Sequence, residues 1–425
     1  MNVETILSDL IRIESVNPPG GEIGVATYLK KLFDQQKIPN EIIESEPGRA
    51  SFIATLGDGK RSLLYLSHED VVPVSDGWSF PPFSGDIKDG FVYGRGALDC
   101  KGLVAAEAFA MLTLAQTTRL KGKLIFAATA DEEVGGGLGA QYLANNFPDK
   151  LKADFAINEG AEDSININGK LCHLISVGEK GPSWLKLKTK GVAGHGSKPN
   201  LSNNAVVKMA RVINNLSNYK PRIVLIPELN QLFQSIVELT DFNNEVNGSN
   251  LDDLLSNLKD DSFSAYLRAI TRMTISPNVV HGGVKTNIIP DSCQAEVDIR
   301  ILPGQNKKYV LDELKSILAG VEIETIQYHA PSLTSTDTRA YHLITDILRE
   351  SLGEMPILPT ICAGATDSRY MRKIGIPSYG IGMVTHNIDP AMKASAHGKD
   401  EKLDIESLRV KSDFLVRLAK KYLGV

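Results

Sequence analysis

Asp131, Glu132 and Glu133 follow the apolar run Leu124-Ile125-Phe126-Ala127-Ala128 and precede Gly135-Gly136-Gly137. Three carboxylates at the mouth of a buried strand repel one another. One or more must take a proton, the site must stay wet, or a cation must sit there. An acidic surface turn is the plainer alternative. Two further segments share the arrangement. Leu63-Leu64-Tyr65-Leu66 leads into Ser67-His68-Glu69-Asp70, and the run from Ala153 leads into Asn158-Glu159-Gly160. Asp99 ends Gly94-Arg95-Gly96-Ala97-Leu98-Asp99, where a helix N-cap is the simpler role. His397 lies in Ser395-Ala396-His397-Gly398, where an exposed loop histidine is the simpler reading. Two histidines, one aspartate and two glutamates suit a pair of zinc ions sharing the aspartate. Hard cations would prefer an oxygen cage, so the histidines argue against calcium and magnesium. Two such metals about 3.5–4 Å apart would hold a bridging water and lower its pKa toward about 7. Glu133 would then bind metal. Glu132 would take the water's proton and pass it to a leaving amine.

These residues need elements to bring them together. Apolar spacing predicts a helix over Val3, Ile6, Leu7, Leu10 and Ile11, and a second over Val25, Tyr28, Leu29, Leu32 and Phe33. Residues 51–56 and 63–66 read as strands, with Gly57-Asp58-Gly59 as a turn between them. Residues 102–115 read as a helix, followed by the strand from Lys123, a helix near 138–145 and a strand at 153–157. This alternation predicts an α/β fold built on a doubly wound, mostly parallel sheet. Ligands of such sheets bind at the carboxyl ends of the strands, so one rim would collect the three clusters. From about Gly181 the texture changes. Residues 184–190 and the set Ala295, Val297, Ile299 and Ile301 alternate apolar and polar, as strands with one open face do. Residues 219–275 are polar, with helical pieces and no evident chemistry. The expected organisation is a catalytic domain in two segments, 1–180 and 333–425, around an inserted α+β domain at 181–332. A loop over 382–404 carries His397.

The chain has 425 residues, 42% hydrophobic and 23% charged, with net charge -5. That size allows two or three domains. The charge balance offers no reason to expect nucleic acid or an acidic membrane as partner. Cys100, Cys172, Cys293 and Cys362 form no CxxC pair, so a reducing, cytoplasmic setting is expected. No apolar run is long enough for a membrane span, and the first helix is too acidic for a secretion signal.

The motifs resemble those of the dizinc aminoacylase and carboxypeptidase family, which includes acetylornithine deacetylase, succinyl-diaminopimelate desuccinylase and glutamate carboxypeptidase. The residues that carry the resemblance span nearly the whole chain. They are His68-Glu69-Asp70-Val71-Val72-Pro73, Gly94-Arg95-Gly96-Ala97-Leu98-Asp99-Cys100-Lys101-Gly102, Asp131-Glu132-Glu133-Val134-Gly135-Gly136, Glu159, Gly194-His195-Gly196-Ser197-Lys198-Pro199 and His397. The resemblance implies His68, Asp99 and Glu159 around one zinc, and Asp99, Glu133 and His397 around the other, with Co2+ or Mn2+ as substitutes. It implies Glu132 as general acid/base, Asp70 as the group that orients His68, and a cis peptide between Asp99 and Cys100. Cys100 itself is read as a small buried residue without a role. His195 would reach the active site of a partner subunit and stabilise the oxyanion. The inserted domain would act as lid and dimerisation domain of a homodimer.

Asn287 and Arg300 are the expected contacts for a substrate carboxylate, Arg300 through a bidentate grip. A salt-bridged strand residue is the alternative for Arg300. Gly364, in Gly364-Ala365-Thr366-Asp367, resembles the family's substrate loop, with Asp367 either opening an anion-binding helix or capping it. The expected activity is hydrolysis of a linear amide bond, in an N-acyl amino acid or at the C-terminus of a short peptide. Acetylornithine deacetylation and succinyl-diaminopimelate desuccinylation are alternatives. A metal- or peptide-binding protein without catalysis is an alternative of another class. Glu132 and every inferred ligand being present together speaks against it.

Overall fold

The computed structural model describes residues 2–161, 164–240, 242, 244–353, 355–382, 392 and 394–425. Residues 383–391 and 393 of the expected 382–404 loop therefore lie outside the described residues. Residue contacts divide the chain into two units. Met1–Val177, Thr334–Thr360 and Thr366–Val425 form one; Gly178–Leu333 with Ile361–Ala365 forms the other. The expected boundaries were 180/181 and 332/333. Lys180 belongs with the second unit because its amide donates to Cys362 O at 3.0 Å and its ammonium to Ala269 O at 2.7 Å. Tyr266 Oη donates to Ile361 O at 2.9 Å, which ties residues 361–365 to the same unit.

The first unit is built on a mixed sheet. Its strands run in the order Asn40–Glu46, Arg49–Leu56, Lys123–Thr129, Ser62–His68, Phe155–Asn158, Ser378–Ile381 and Lys170–Glu179. The centre is parallel: Ser62–His68 pairs in parallel with Lys123–Thr129 and with Phe155–Asn158, which pairs in parallel with Ser378–Ile381. Antiparallel pairs flank it on both sides. The strands on either side of Gly57-Asp58-Gly59 are not hydrogen-bonded to each other. The Lys123–Thr129 strand lies between them, antiparallel to one and parallel to the other. Glycine is required in that connection. A Cβ on Gly59 would stand 1.7 Å from Lys121 O, and one on Gly57, at φ +80, would stand 2.2 Å from Gly122 O.

Helices cover both faces, which is why the central strands are apolar throughout. Leu64, Leu66, Ile125 and Ala127 pack with Leu143 and Met371 on one side. On the other, Phe33 from the helix Ile23–Gln35 meets Phe52 and Phe126 at ring centroid distances of 5.1 and 5.8 Å. Burying each such ring contributes roughly 1.5–3 kcal/mol. The helix Lys101–Thr117 has no polar face: twelve of its 17 residues are buried, Lys101 and Glu107 among them. Among the described residues no helix is long and apolar enough to cross a membrane.

The second unit holds a four-stranded antiparallel sheet in the order Thr274–Gly282, Ser292–Ile301, Gly181–Lys190, Glu322–Tyr328. In Ser292–Ile301 every second residue is buried, which is the expected alternation. Its inward side chains join Ala205, Met209, Val212 and Leu216 of the helix Ala205–Asn218 in one core.

Candidate metal centre

The three parallel strands Lys123–Thr129, Ser62–His68 and Phe155–Asn158 are neighbours, so their carboxyl ends share one edge. His68 is the last residue of its strand, Glu159 directly follows another, and Glu132 and Glu133 open a short 3-10 turn after the third. Asp99 precedes the helix Lys101–Thr117, and the Asp99–Cys100 peptide is cis. His397 adopts φ 57, a left-handed conformation uncommon for a residue with a side chain.

Two groups of potential ligand atoms form, each within 4.8 Å: His68, Asp99, Cys100 and Glu159, and Asp99, Glu133 and His397. Asp99 belongs to both. Its Oδ1 lies 3.1 Å from His68 Nε2 and its Oδ2 lies 3.0 Å from His397 Nε2. Glu159 Oε1 is 3.8 Å from His68 Nε2, and Glu133 Oε2 is 3.3 Å from His397 Nε2. The tautomer of His68 follows from its other nitrogen. Nδ1 is 2.9 Å from the carbonyl oxygen of Asp70, which can only accept, so Nδ1 carries a proton. In the neutral ring Nε2 then points a lone pair at a carboxylate oxygen. Such a contact is stable only with positive charge between the two atoms, a proton or a metal ion.

The surrounding electrostatics agree. Burial disfavours charge on His68, yet Cys100 first, and Asp70 and Asp99 next, push its pKa well above the usual histidine value. Asp99 and Glu133 raise that of His397 to about 10. Burial, with Asp99 and Glu133 nearby, lifts Glu159 to about 8. Cationic imidazoles and protonated carboxyls describe a cavity short of positive charge. Glu133 Oε1 is buried and has no hydrogen-bond partner among the described residues. The donor set of nitrogen and carboxylate oxygen, with this unpartnered atom, fits a divalent cation in each group.

Asp70 connects the ligands to the glutamate pair. Its carboxylate accepts from the amides of Glu132 and Glu133, both at 3.1 Å, and from Asn17 Nδ2 at 2.8 Å. The Glu132 backbone is thereby fixed, while its carboxylate makes no hydrogen bond among the described residues. Burial first, and Glu159 next, push the Glu132 pKa well above the ordinary range. That leaves a carboxyl group free to exchange a proton. Asp131, which sequence grouped with these two, points elsewhere. Arg49 Nη2 donates to its Oδ1 at 2.5 Å and the Leu138 amide to its Oδ2 at 3.0 Å. Cys100 reaches the first group, but its Sγ is engaged by the His68 backbone, accepting from the amide at 3.2 Å.

His195, Asn287, Arg300 and Gly364 lie in the second unit. His195 is exposed and pairs across a short ladder with Ile288, while the Gly196 amide donates to Asn287 O at 2.9 Å. His195 and Asn287 are thus neighbours. Arg300 forms a fork with Asp298, Nε to Oδ1 at 2.8 Å and Nη2 to Oδ2 at 3.2 Å, so its bidentate face is filled within its own strand. Gly364 falls in the segment Ile361–Ala365. Asp367, in the first unit, does not cap the six-residue helix Ser368–Lys373 through its side chain. It accepts from Thr129 Oγ1 at 2.7 Å.

Glu401 was not singled out by sequence, although it lies four residues beyond His397. Its Oε1 accepts from the amides of Leu98 and Asp99 at 2.8 and 3.0 Å. Its Oε2 accepts from the Gly96 amide at 2.9 Å and from Arg95 Nη1 at 2.6 Å. Arg95 Nη2 donates in turn to Gly398 O at 2.8 Å. This buried pair fastens the loop bearing Asp99 to the loop bearing His397. Glu401→Gln leaves the Arg95 charge unmatched in the interior, and breaking such a pair costs about 3–5 kcal/mol. The expected result is a lowered urea midpoint together with weaker metal retention; an unchanged midpoint would show that the clamp is dispensable.

Fold and site together place the chain among metal-dependent hydrolases. The profile of peptidase family M20/M25/M40 matches residues 64–421, and the chain belongs to that family. It is 28% identical to the human N-fatty-acyl-amino acid synthase/hydrolase PM20D1, over 92% of this chain and 80% of that protein. It is 27% identical to a probable succinyl-diaminopimelate desuccinylase of Staphylococcus epidermidis, over 93% of this chain and 91% of the other. Among solved structures it is similar to the M20 family metallo-carboxypeptidase Sso-CP2 of Sulfolobus solfataricus, with TM-score 0.77, 24% identity and 99% of both chains covered.

Proposed function

We propose that the protein is a dizinc hydrolase of linear amide bonds, releasing an amino acid from an N-acyl amino acid or from the C-terminus of a short peptide. The observation that carries this reading is Asp99, whose two carboxylate oxygens each face a different histidine. His68, Asp99 and Glu159 would hold one zinc and Asp99, Glu133 and His397 the other, with Co2+ or Mn2+ able to substitute. When bound, the pair supplies the charge that acidifies a water and polarises the scissile carbonyl. Glu132 takes the proton from the water and delivers it to the leaving nitrogen. Asp70 holds the His68 ring and the Glu132 backbone in register through the contacts above. The names of the human relative and of the archaeal metallo-carboxypeptidase support the substrate class, and that of the staphylococcal relative supports desuccinylation as the second reading.

A homodimer joined through the second unit fits the exposed edge strand Thr274–Gly282 and the exposed Val280, Val284 and Ile288. His195 would then serve the partner's site as an oxyanion donor, in a cytoplasmic enzyme. Sedimentation would report a monomer if this arrangement were wrong.

A panel of acetyl-, succinyl- and fatty-acyl-amino acids and of dipeptides tests the activity. Turnover of at least one member is expected, abolished by a chelator and restored by zinc or cobalt. A metal-loaded protein with no turnover across the panel would overturn the hydrolase reading.

A further inference from the structure

Residues 219–275 showed no chemistry in the sequence, yet they enclose a cleft of about 830 Å3 within the second unit. That volume is in the range of small-molecule sites. Its charged lining is one-sided: Lys220, Arg222, Arg268 and Arg272 against the single carboxylate of Asp252. Asp252 pairs with Arg268 and with both terminal nitrogens of Arg272, at 2.7 and 3.2 Å for the latter. Lys220 and Arg222 form no ion pair among the described residues. Arg272 Nε is buried and has no hydrogen-bond partner there.

The frame that carries these cations is fixed. Ile223 and Arg272 form an antiparallel bridge, and the Val224 amide donates to Thr271 O at 2.8 Å. From below, the buried ammonium of Lys180 donates to Ala269 O at 2.7 Å, Arg272 O at 2.9 Å and Thr274 Oγ1 at 3.0 Å. The segments that carry Arg222 and Arg272 are thus tied to each other, and the cations line one cleft. Clustered like charges favour a bound anion.

We propose that this cleft binds a small dianion, whose two charges match the unpaired Lys220 and Arg222. Arginine and lysine recognise phosphate-like oxyanions and carboxylates by charge-assisted hydrogen bonds. The cleft shares no residue with the metal-ligand groups, so the site stands or falls independently of the reaction proposed above.

Calorimetric titration of the metal-loaded full chain with sulfate, and separately with succinate, at physiological ionic strength provides the test. One-to-one saturable binding of at least one of them is expected. The stronger of the two identifies a compact oxyanion or a spread dicarboxylate as the ligand type. Lys220→Ala/Arg222→Ala should weaken it by about tenfold or more. Both side chains are exposed, so this variant should fold with an unchanged thermal midpoint. A control variant, Lys307→Ala/Lys315→Ala, removes two exposed cations outside the cleft and should bind as the parent does. Absence of binding by both dianions overturns the proposal. So does equal weakening in the two variants, which would reveal only general charge attraction.

Discussion

Glu132→Gln is expected to retain both metals and to lose about 10²–10⁴ of its turnover, the usual contribution of a positioned acid/base. The substitution preserves shape and removes only the exchangeable proton. Three observations say the rest of the site should survive it. The Glu132 side chain belongs to neither ligand group. It makes no hydrogen bond among the described residues, so none is broken. Its backbone is held by Asp70 Oδ1 at 3.1 Å, whatever the side chain. The loss should appear in kcat, since an interaction made only during proton transfer leaves substrate affinity in place. Metal content by elemental analysis and kcat on the best substrate of the panel are the two measurements. Full metal content with near-parent turnover would remove Glu132 from the mechanism.

The second large effect is expected at Asp99. Asp99→Asn changes one atom and one charge, yet it should strip both metals, because this carboxylate alone belongs to both groups. An asparagine offers one carbonyl oxygen and one NH2. Whichever histidine faces the NH2 gains a hydrogen bond and loses a metal partner. The fold should persist, since the new pairing satisfies the imidazole. Loss of an outer-shell partner lowers metal affinity by about 10–100-fold, and loss of a shared ligand should exceed that at each position. His397→Ala is the companion variant. His397 occurs in the second group alone, so one metal should remain. Competition with a chromophoric chelator separates the outcomes as zero, one or two metals per chain. Two tightly held metals in Asp99→Asn would refute the bridging assignment.

Much of this architecture was legible in the chain itself. Apolar segments ending in His68, in Glu132 and Glu133, and in Glu159 announce buried strands, because only a strand covered on both faces is apolar throughout. Their polar endings had to lie at carboxyl termini, and parallel neighbours bring carboxyl termini to one edge. The alternation in Ser292–Ile301 likewise announced a sheet with one open face.

Other features arose only on folding. Sequence read Gly57-Asp58-Gly59 as a turn between two strands and left open which strands they pair with. The sheet places Lys123–Thr129 between them, since strand order depends on packing among all helices and strands. Sequence grouped Asp131 with Glu132 and Glu133; its neutralisation by Arg49, 82 positions away, separates it from them. The four hydrogen bonds that Glu401 accepts come from residues more than 300 positions distant. Residue types and local periodicity follow from neighbours along the chain, and so could be read directly. The division of Asp99 between two histidines, the arginine beside Asp131 and the clamp at Glu401 are contacts across the molecule, which no local pattern encodes.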